Sequence, residues 1–143
     1  MDVSLWKKHR YEFTVKPEYL DGLGHMNNVA YFRVYEDARW AMISERGFGV
    51  EAMERLQQGP VVLRIEIDFL REVKAGRPYW IESSNLSYEG KVQKVLQEIK
   101  SEEIGVHARA VFTMGLFDMK ARKLVLPSED WLRASGKPGE PQR

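Results

Sequence analysis

At 143 residues the chain is the length of one domain. Its 22 Lys and Arg against 21 Asp and Glu leave a formal charge of +1, so no overall basicity draws it to nucleic acid. It holds no cysteine, which removes disulfides, thiolate metal sites and a cysteine nucleophile. No apolar run of signal-peptide length opens the chain and none approaches the ~20 apolar residues of a membrane span, so a cytoplasmic protein is expected.

Tyr11, Phe13 and Val15 alternate with Glu12 and Thr14, which predicts a half-buried strand over 11–15. Pro17 stops it, and Asp21-Gly22-Leu23-Gly24 has the chemistry of a loop. Over 29–46 the period turns helical. Arg33, Asp37 and Ser44 share one narrow polar stripe, and nearly everything else is apolar. That predicts a helix buried around most of its circumference and ended by Gly47. Glu36 and Arg39, three residues apart, are expected to pair with each other. Residues 51–58 read as a short helix closed by Gly59-Pro60.

The period then becomes two. Val61, Leu63, Ile65, Ile67 and Phe69 alternate with Arg64, Glu66 and Asp68, a long strand with one core face. A hairpin over 79–88 and 92–99 turns about Glu89-Gly90-Lys91, and a further strand covers 108–116. The chain returns at 118–121 toward 124–126, and Ser128 caps a short helix containing Trp131. Residues 135–143 have the composition of a disordered tail, leaving 1–134 as a single domain. Strands joined by tight turns are antiparallel, and one long apolar helix needs a surface that curves around it. The predicted class is α+β, a curved antiparallel sheet of five to six strands wrapped around one central helix. Such a sheet keeps an open edge, which pairing with a second copy would cover.

Chemistry concentrates just before the long helix, where Asp21, His25, Asn27 and Asn28 fall within eight residues. A helix N-terminus presents free N–H groups and about half a positive charge. A carbonyl oxygen gaining negative charge is stabilised there, and a neighbouring carboxylate can attack the carbonyl or activate a water. Those ingredients suit acyl transfer to water. There is no Gly-x-Ser-x-Gly elbow, no phosphate-binding Walker loop, and no His spacing suited to a metal.

The same residues resemble a family. Asp-x-x-Gly-His-Met-Asn-Asn-x-x-Tyr, formed by Asp21, Gly24, His25, Met26, Asn27, Asn28 and Tyr31, is followed by Glu36-x-Ala38-Arg39. This is similar to the signature of hotdog-fold thioesterases of the 4-hydroxybenzoyl-CoA thioesterase type. The resemblance implies a thioesterase that hydrolyses an acyl-CoA or acyl-carrier-protein thioester to free acid and thiol. It makes Asp21 the base or nucleophile, has the Asn28 N–H polarise the carbonyl, and sets His25 beside them. Gly24, Asn27 and Tyr31 would border the substrate, and Arg71 and Arg77 would meet the CoA phosphates. It implies no cofactor and no metal, and a homodimer or dimer of dimers. Rival readings are a hotdog dehydratase or hydratase and a non-catalytic acyl-CoA binding module. Tyr19 stands where many relatives carry a second acid, and Leu23 where plant-type carrier-protein thioesterases have Asn.

Overall fold

The computed structural model describes residues 1–139. Its elements run β1 (His9–Phe13), α1 (Asn28–Glu45), α2 (Val50–Leu56), β2 (Gln58–Phe69), β3 (Tyr79–Glu89), β4 (Val92–Ser101), β5 (Gly105–Asp118), β6 (Lys123–Val125) and α3 (Glu129–Ser135). One antiparallel sheet of six strands has the order β1-β3-β4-β5-β2, with β6 also pairing β5. The sheet does not close, and β2 is a long edge strand. The α+β class predicted from patterning is the observed one.

Alternation decides which face of the sheet meets the helix. Ile81 on β3, Val95 and Ile99 on β4, and Ala108, Ala110 and Phe112 on β5 are buried with Ala30, Tyr31, Val34, Tyr35 and Ala38 of α1. Small alanines on both surfaces let the helix approach closely, and Tyr35 meets Phe112 edge to face at 5.6 Å. A second cluster joins the far end of α1, through Met42 and Ile43, to Phe48, Tyr88 and Trp131. Helix α3 is fastened from several sides. Lys7 N–H donates to the Gly136 carbonyl at 2.8 Å, Arg46 donates to Ala134 O at 3.2 Å, and Asn85 Nδ2 donates to Ser135 O at 2.6 Å.

The opposite face carries charges of alternating sign. Lys8 and Lys100 both reach Glu82, at 3.2 and 3.0 Å, and Arg109 Nη2 reaches Glu98 at 2.9 Å. Burial pushes the Glu82 carboxyl up, but its two lysine partners outweigh that and hold it below the ordinary range.

Four expectations change. Helix α1 buries one face only, for Val29, Phe32 and Trp40 are exposed. Gly59 and Pro60 do not close α2 but lie inside β2, where an edge strand tolerates a missing N–H. The β2 face expected in the core is largely open: Leu63, Ile65 and Phe69 are exposed, and a bulge between Val62 and Arg64, with Val62 opposite Met114, breaks the alternation. The tail does not begin at Ser135: that residue is buried at the end of α3, and Gly136, at φ +120°, turns the chain back onto Lys7. The end of the expected tail, residues 140–143, lies outside the described residues.

Candidate active site

The loop before α1 is shaped by short polar contacts. Asp21 Oδ1 accepts from Leu23 N–H at 2.8 Å, the Asx turn that Asp favours. Gly24, at φ +85°, then reverses the chain, and Asp21 N–H donates to the His25 carbonyl at 3.0 Å. Two further contacts fasten the loop to the β2–β3 connection: Met26 N–H donates to Val73 O at 2.8 Å, and His25 forms a bridge with Lys74. Asn27 is the cap. Its Oδ1 accepts from Ala30 N–H at 3.0 Å, and its Nδ2 donates to the Tyr19 carbonyl at 2.9 Å. Asn28 is the first residue of α1, so its N–H has no acceptor within the helix.

These residues open on one cleft of about 250 Å³, lined by Asp21, His25, Asn28, Tyr31, Arg71 and Glu72 with Phe69 and Leu70 from the end of β2. His25 stands between two carboxylates. Its Nδ1 is 3.5 Å from Asp21 Oδ2 and its Nε2 is 3.7 Å from Glu72 Oε2. The hydrogen bond from Lys74 holds the Glu72 carboxyl below the ordinary range, so it is an anion near neutral pH. Burial pushes the Tyr31 hydroxyl up to about 12, which keeps it protonated. The Tyr31 ring meets Phe69 edge to face at 4.8 Å and forms the inner wall.

Most residues singled out in the sequence meet here: Asp21, His25, Asn28, Tyr31 and Arg71 line the cleft, and Gly24 and Asn27 shape it. Among the described residues no carboxylate pairs with Arg71, and its N–H and that of Leu70 both donate to His107 O, at 2.8 and 2.9 Å. Arg77 does not join them. It lines a different cleft, of about 670 Å³, with Trp80 and Glu103, and is tied to Glu103 at 3.2 Å. Glu72, Phe69 and Leu70 were not anticipated in the cleft, because the end of β2 and the β2–β3 connection are far from Asp21 in sequence and reach it only through packing.

Glu36 and Arg39 do not pair as expected. Glu36 accepts from Trp40 Nε1 at 3.2 Å. Arg39 donates to the buried Gln97 carboxamide at 2.9 Å and lies over the Phe112 ring at 4.1 Å. Among the described residues no cluster of His, Cys, Asp or Glu could hold a metal ion, and no helix is long and apolar enough to cross a membrane.

The fold recurs in known proteins. A family model described as the thioesterase-like superfamily matches residues 15–135. The chain belongs to that superfamily. Among solved structures, YbaW, a probable thioesterase from Escherichia coli, is 25% identical with a TM-score of 0.77, over 87% of this chain and 94% of that one. SAV2348, a hypothetical protein from Staphylococcus aureus in complex with CoA, superposes at TM-score 0.82 with 15% identity, over 100% and 94%. Slr0204, a 1,4-dihydroxy-2-naphthoyl-CoA thioesterase from Synechocystis, gives 0.80 at 17% identity, over 90% and 96%. At the lower identities the likeness is one of fold. No curated protein matches the chain.

Proposed function

We propose that this protein hydrolyses an acyl-CoA thioester to a free acid and a thiol, with Asp21 and the start of α1 as its machinery. One observation carries the reading: the Asp21 carboxylate and the uncommitted Asn28 N–H open on the same cleft. The thioester carbonyl accepts from Asn28 N–H. As its carbon becomes tetrahedral, the charge on oxygen grows at the positive end of the helix, where removing one such donor typically costs about 2.7–4 kcal/mol. Asp21 either takes a proton from the water that attacks this carbon or attacks it directly. The C–S bond then breaks, the thiolate takes a proton, and water supplies the oxygen of the acid. A thiol of pKa ~8.5 leaves without a strong acid, so one carboxylate suffices. His25, fixed between Asp21 and Glu72, orients the Asp21 carboxylate.

Quaternary structure belongs to the same reading. Edge strand β2 exposes Leu63, Ile65 and Phe69, an arrangement that invites a second strand. The Asp21 cleft is bordered by the end of that edge, so a homodimer joined through β2 would complete its open side. Arg71, uncommitted on the rim, is positioned for a phosphate of the carrier.

The test is thiol release from a panel of acyl-CoAs by the wild type and Asp21→Asn. Asn keeps the contact to Leu23 N–H but is neither base nor nucleophile, so turnover is expected to fall at least a hundredfold with stability unchanged. Full activity in Asp21→Asn removes this residue from the mechanism. Hydration of enoyl-CoA without thiol release would make the protein a hydratase, and thermal stabilisation by acyl-CoA without turnover would make it a binding module.

A further inference from the structure

Residues 70–74 belong to no helix or strand, yet they carry Leu70, Arg71 and Glu72 into the Asp21 cleft. Three of their hydrogen bonds go to one residue of β5. His107 O accepts from Leu70 N–H and Arg71 N–H, at 2.9 and 2.8 Å, and the His107 ring meets the Glu72 carbonyl with Nδ1 at 3.0 Å. We propose that His107 is a positioning residue of this cleft: its ring holds the Glu72 backbone so that the Glu72 carboxylate faces His25 and keeps His25 in line with Asp21. The proposal rests on the thioesterase reading and adds to it a residue that touches neither substrate nor Asp21.

The ring has one workable arrangement. A carbonyl only accepts, so Nδ1 carries the hydrogen toward Glu72, and Nε2 of the neutral ring accepts from the Ser101 hydroxyl at 2.7 Å. His107 is 2% exposed, so solvent competes little for either contact. The Tyr79 ring stands against it edge to face at 5.1 Å, and the Tyr79 hydroxyl accepts from Lys74 N–H at 3.0 Å. The segment is thus held at both ends, by His107 at Leu70 and Arg71 and by Tyr79 at Lys74. The ring bond to Glu72 is the hold between them.

Glu72 passes that hold to the cleft. Lys74 Nζ is 3.0 Å from Glu72 Oε1, His25 Nε2 is 3.7 Å from Glu72 Oε2, and His25 Nδ1 is 3.5 Å from Asp21 Oδ2. The Glu72 side chain is half-exposed, and a surface pair with lysine fixes a carboxylate only loosely. An anchored carbonyl beside its Cα restricts where that carboxylate can go. The bonds from Leu70 and Arg71 end on the backbone oxygen of residue 107, which every substitution there retains. Losing the ring should therefore disturb Glu72 and the turnover step, and leave Arg71 and its contact with the carrier in place.

The test is kcat and KM for thiol release from acyl-CoA, with urea unfolding alongside, in three variants of His107. The Asn amide nitrogen falls where Nδ1 stands, so His107→Asn keeps a donor for the Glu72 carbonyl. Gln reaches instead to the place of Nε2 and loses that donor, and His107→Leu has neither. His107→Gln and His107→Leu are expected to lower kcat about tenfold or more with KM within about twofold, and His107→Asn to stay within about threefold of the wild type. Packing alone would rank Asn below Gln, since Asn leaves the larger gap. Glu72→Gln should lower kcat by a like amount, and adding it to His107→Leu should bring little further loss, because both act through one chain of contacts. A folded His107→Leu with the wild-type kcat, an Asn variant no more active than the Gln variant, or losses that multiply in the double variant overturns the proposal while leaving the thioesterase reading in place. If His107→Leu does not fold, the contrast between Asn and Gln decides alone. A wild type that cleaves no acyl-CoA overturns both.

Discussion

Asn27 holds both the start of α1 and the loop that carries Asp21, so its replacements separate folding from chemistry. Asn27→Ala removes the acceptor for Ala30 N–H and the donor to Tyr19 O. The lost cap costs about 1 kcal/mol. The second bond adds about 0.5–1 kcal/mol, because Tyr19 O keeps Asn27 N–H as a donor at 2.8 Å. For a chain of 143 residues, the resulting ~1.5–2 kcal/mol lowers Tm by roughly 5–8 °C. Asn27→Asp keeps the capping acceptor and adds a negative charge at the helix N-terminus, worth about 0.3–1 kcal/mol, against a carboxylate facing the Tyr19 carbonyl. Its stability should therefore stay within about 1 kcal/mol of the wild type. Its activity should not, because the new charge occupies the helix end at which, in the proposed reaction, the thioester oxygen becomes negative. A fall in kcat/KM of about tenfold or more is expected, short of the ~10²–10³ of losing a donor outright. Urea unfolding gives the first quantity and thiol release the second. If Asn27→Asp is as active as the wild type, the oxyanion does not form at this helix end.

Further outcomes follow from the core, the chain ends and the outer face. Gln97→Leu removes the carboxamide that receives Arg39 and donates to Tyr35 O and Ser83 Oγ, and should cost about 2–4 kcal/mol in urea unfolding. Adding Arg39→Met should return part of it, because the stranded guanidinium leaves with its partner. Gly136→Ala puts a Cβ 2.5 Å from Lys7 O at φ +120°, and should cost about 2 kcal/mol or more in the same assay. Glu82 has a folded pKa below its ordinary 4.5, so its contribution is complete above that value and is lost as pH falls through the lower folded one. Comparing unfolding at pH 6 and pH 3, Glu82→Gln should lose less stability on acidification than the wild type, and an equal loss would show that its lysine contacts do not stabilise the fold.

The loop that carries Asp21 was legible in the sequence because its parts are local. Asp21, His25, Asn27 and Asn28 are close along the chain, and capping and turn chemistry act over that range. Glu72, Phe69 and Leu70 were hidden because only the packing of the β2–β3 connection against the loop, through Met26 and Val73, brings them near Asp21. Arg77 parts from Arg71 because the turn at Gly76 carries it toward Glu103, a separation that closeness in sequence does not reveal. Arg39 found Gln97 rather than Glu36 because a residue pointed at the sheet is settled by what the sheet offers. The apolar count of α1 overstated its burial because Val29, Phe32 and Trp40 lie on its uncovered side.

The charged face of the sheet bears on how a substrate arrives. Lys8, Glu82, Lys100, Glu98 and Arg109 largely cancel one another across the strands, and the whole chain carries only +1. Long-range steering needs an uncompensated field, and this surface supplies almost none. In the proposed reaction a phosphate-bearing carrier meets Arg71 at close quarters, on the rim of the cleft, where no carboxylate pairs with it among the described residues. In the proposed reaction, association of an acyl-CoA should therefore slow only slightly as ionic strength rises, its selection resting on fit after contact rather than on attraction from a distance.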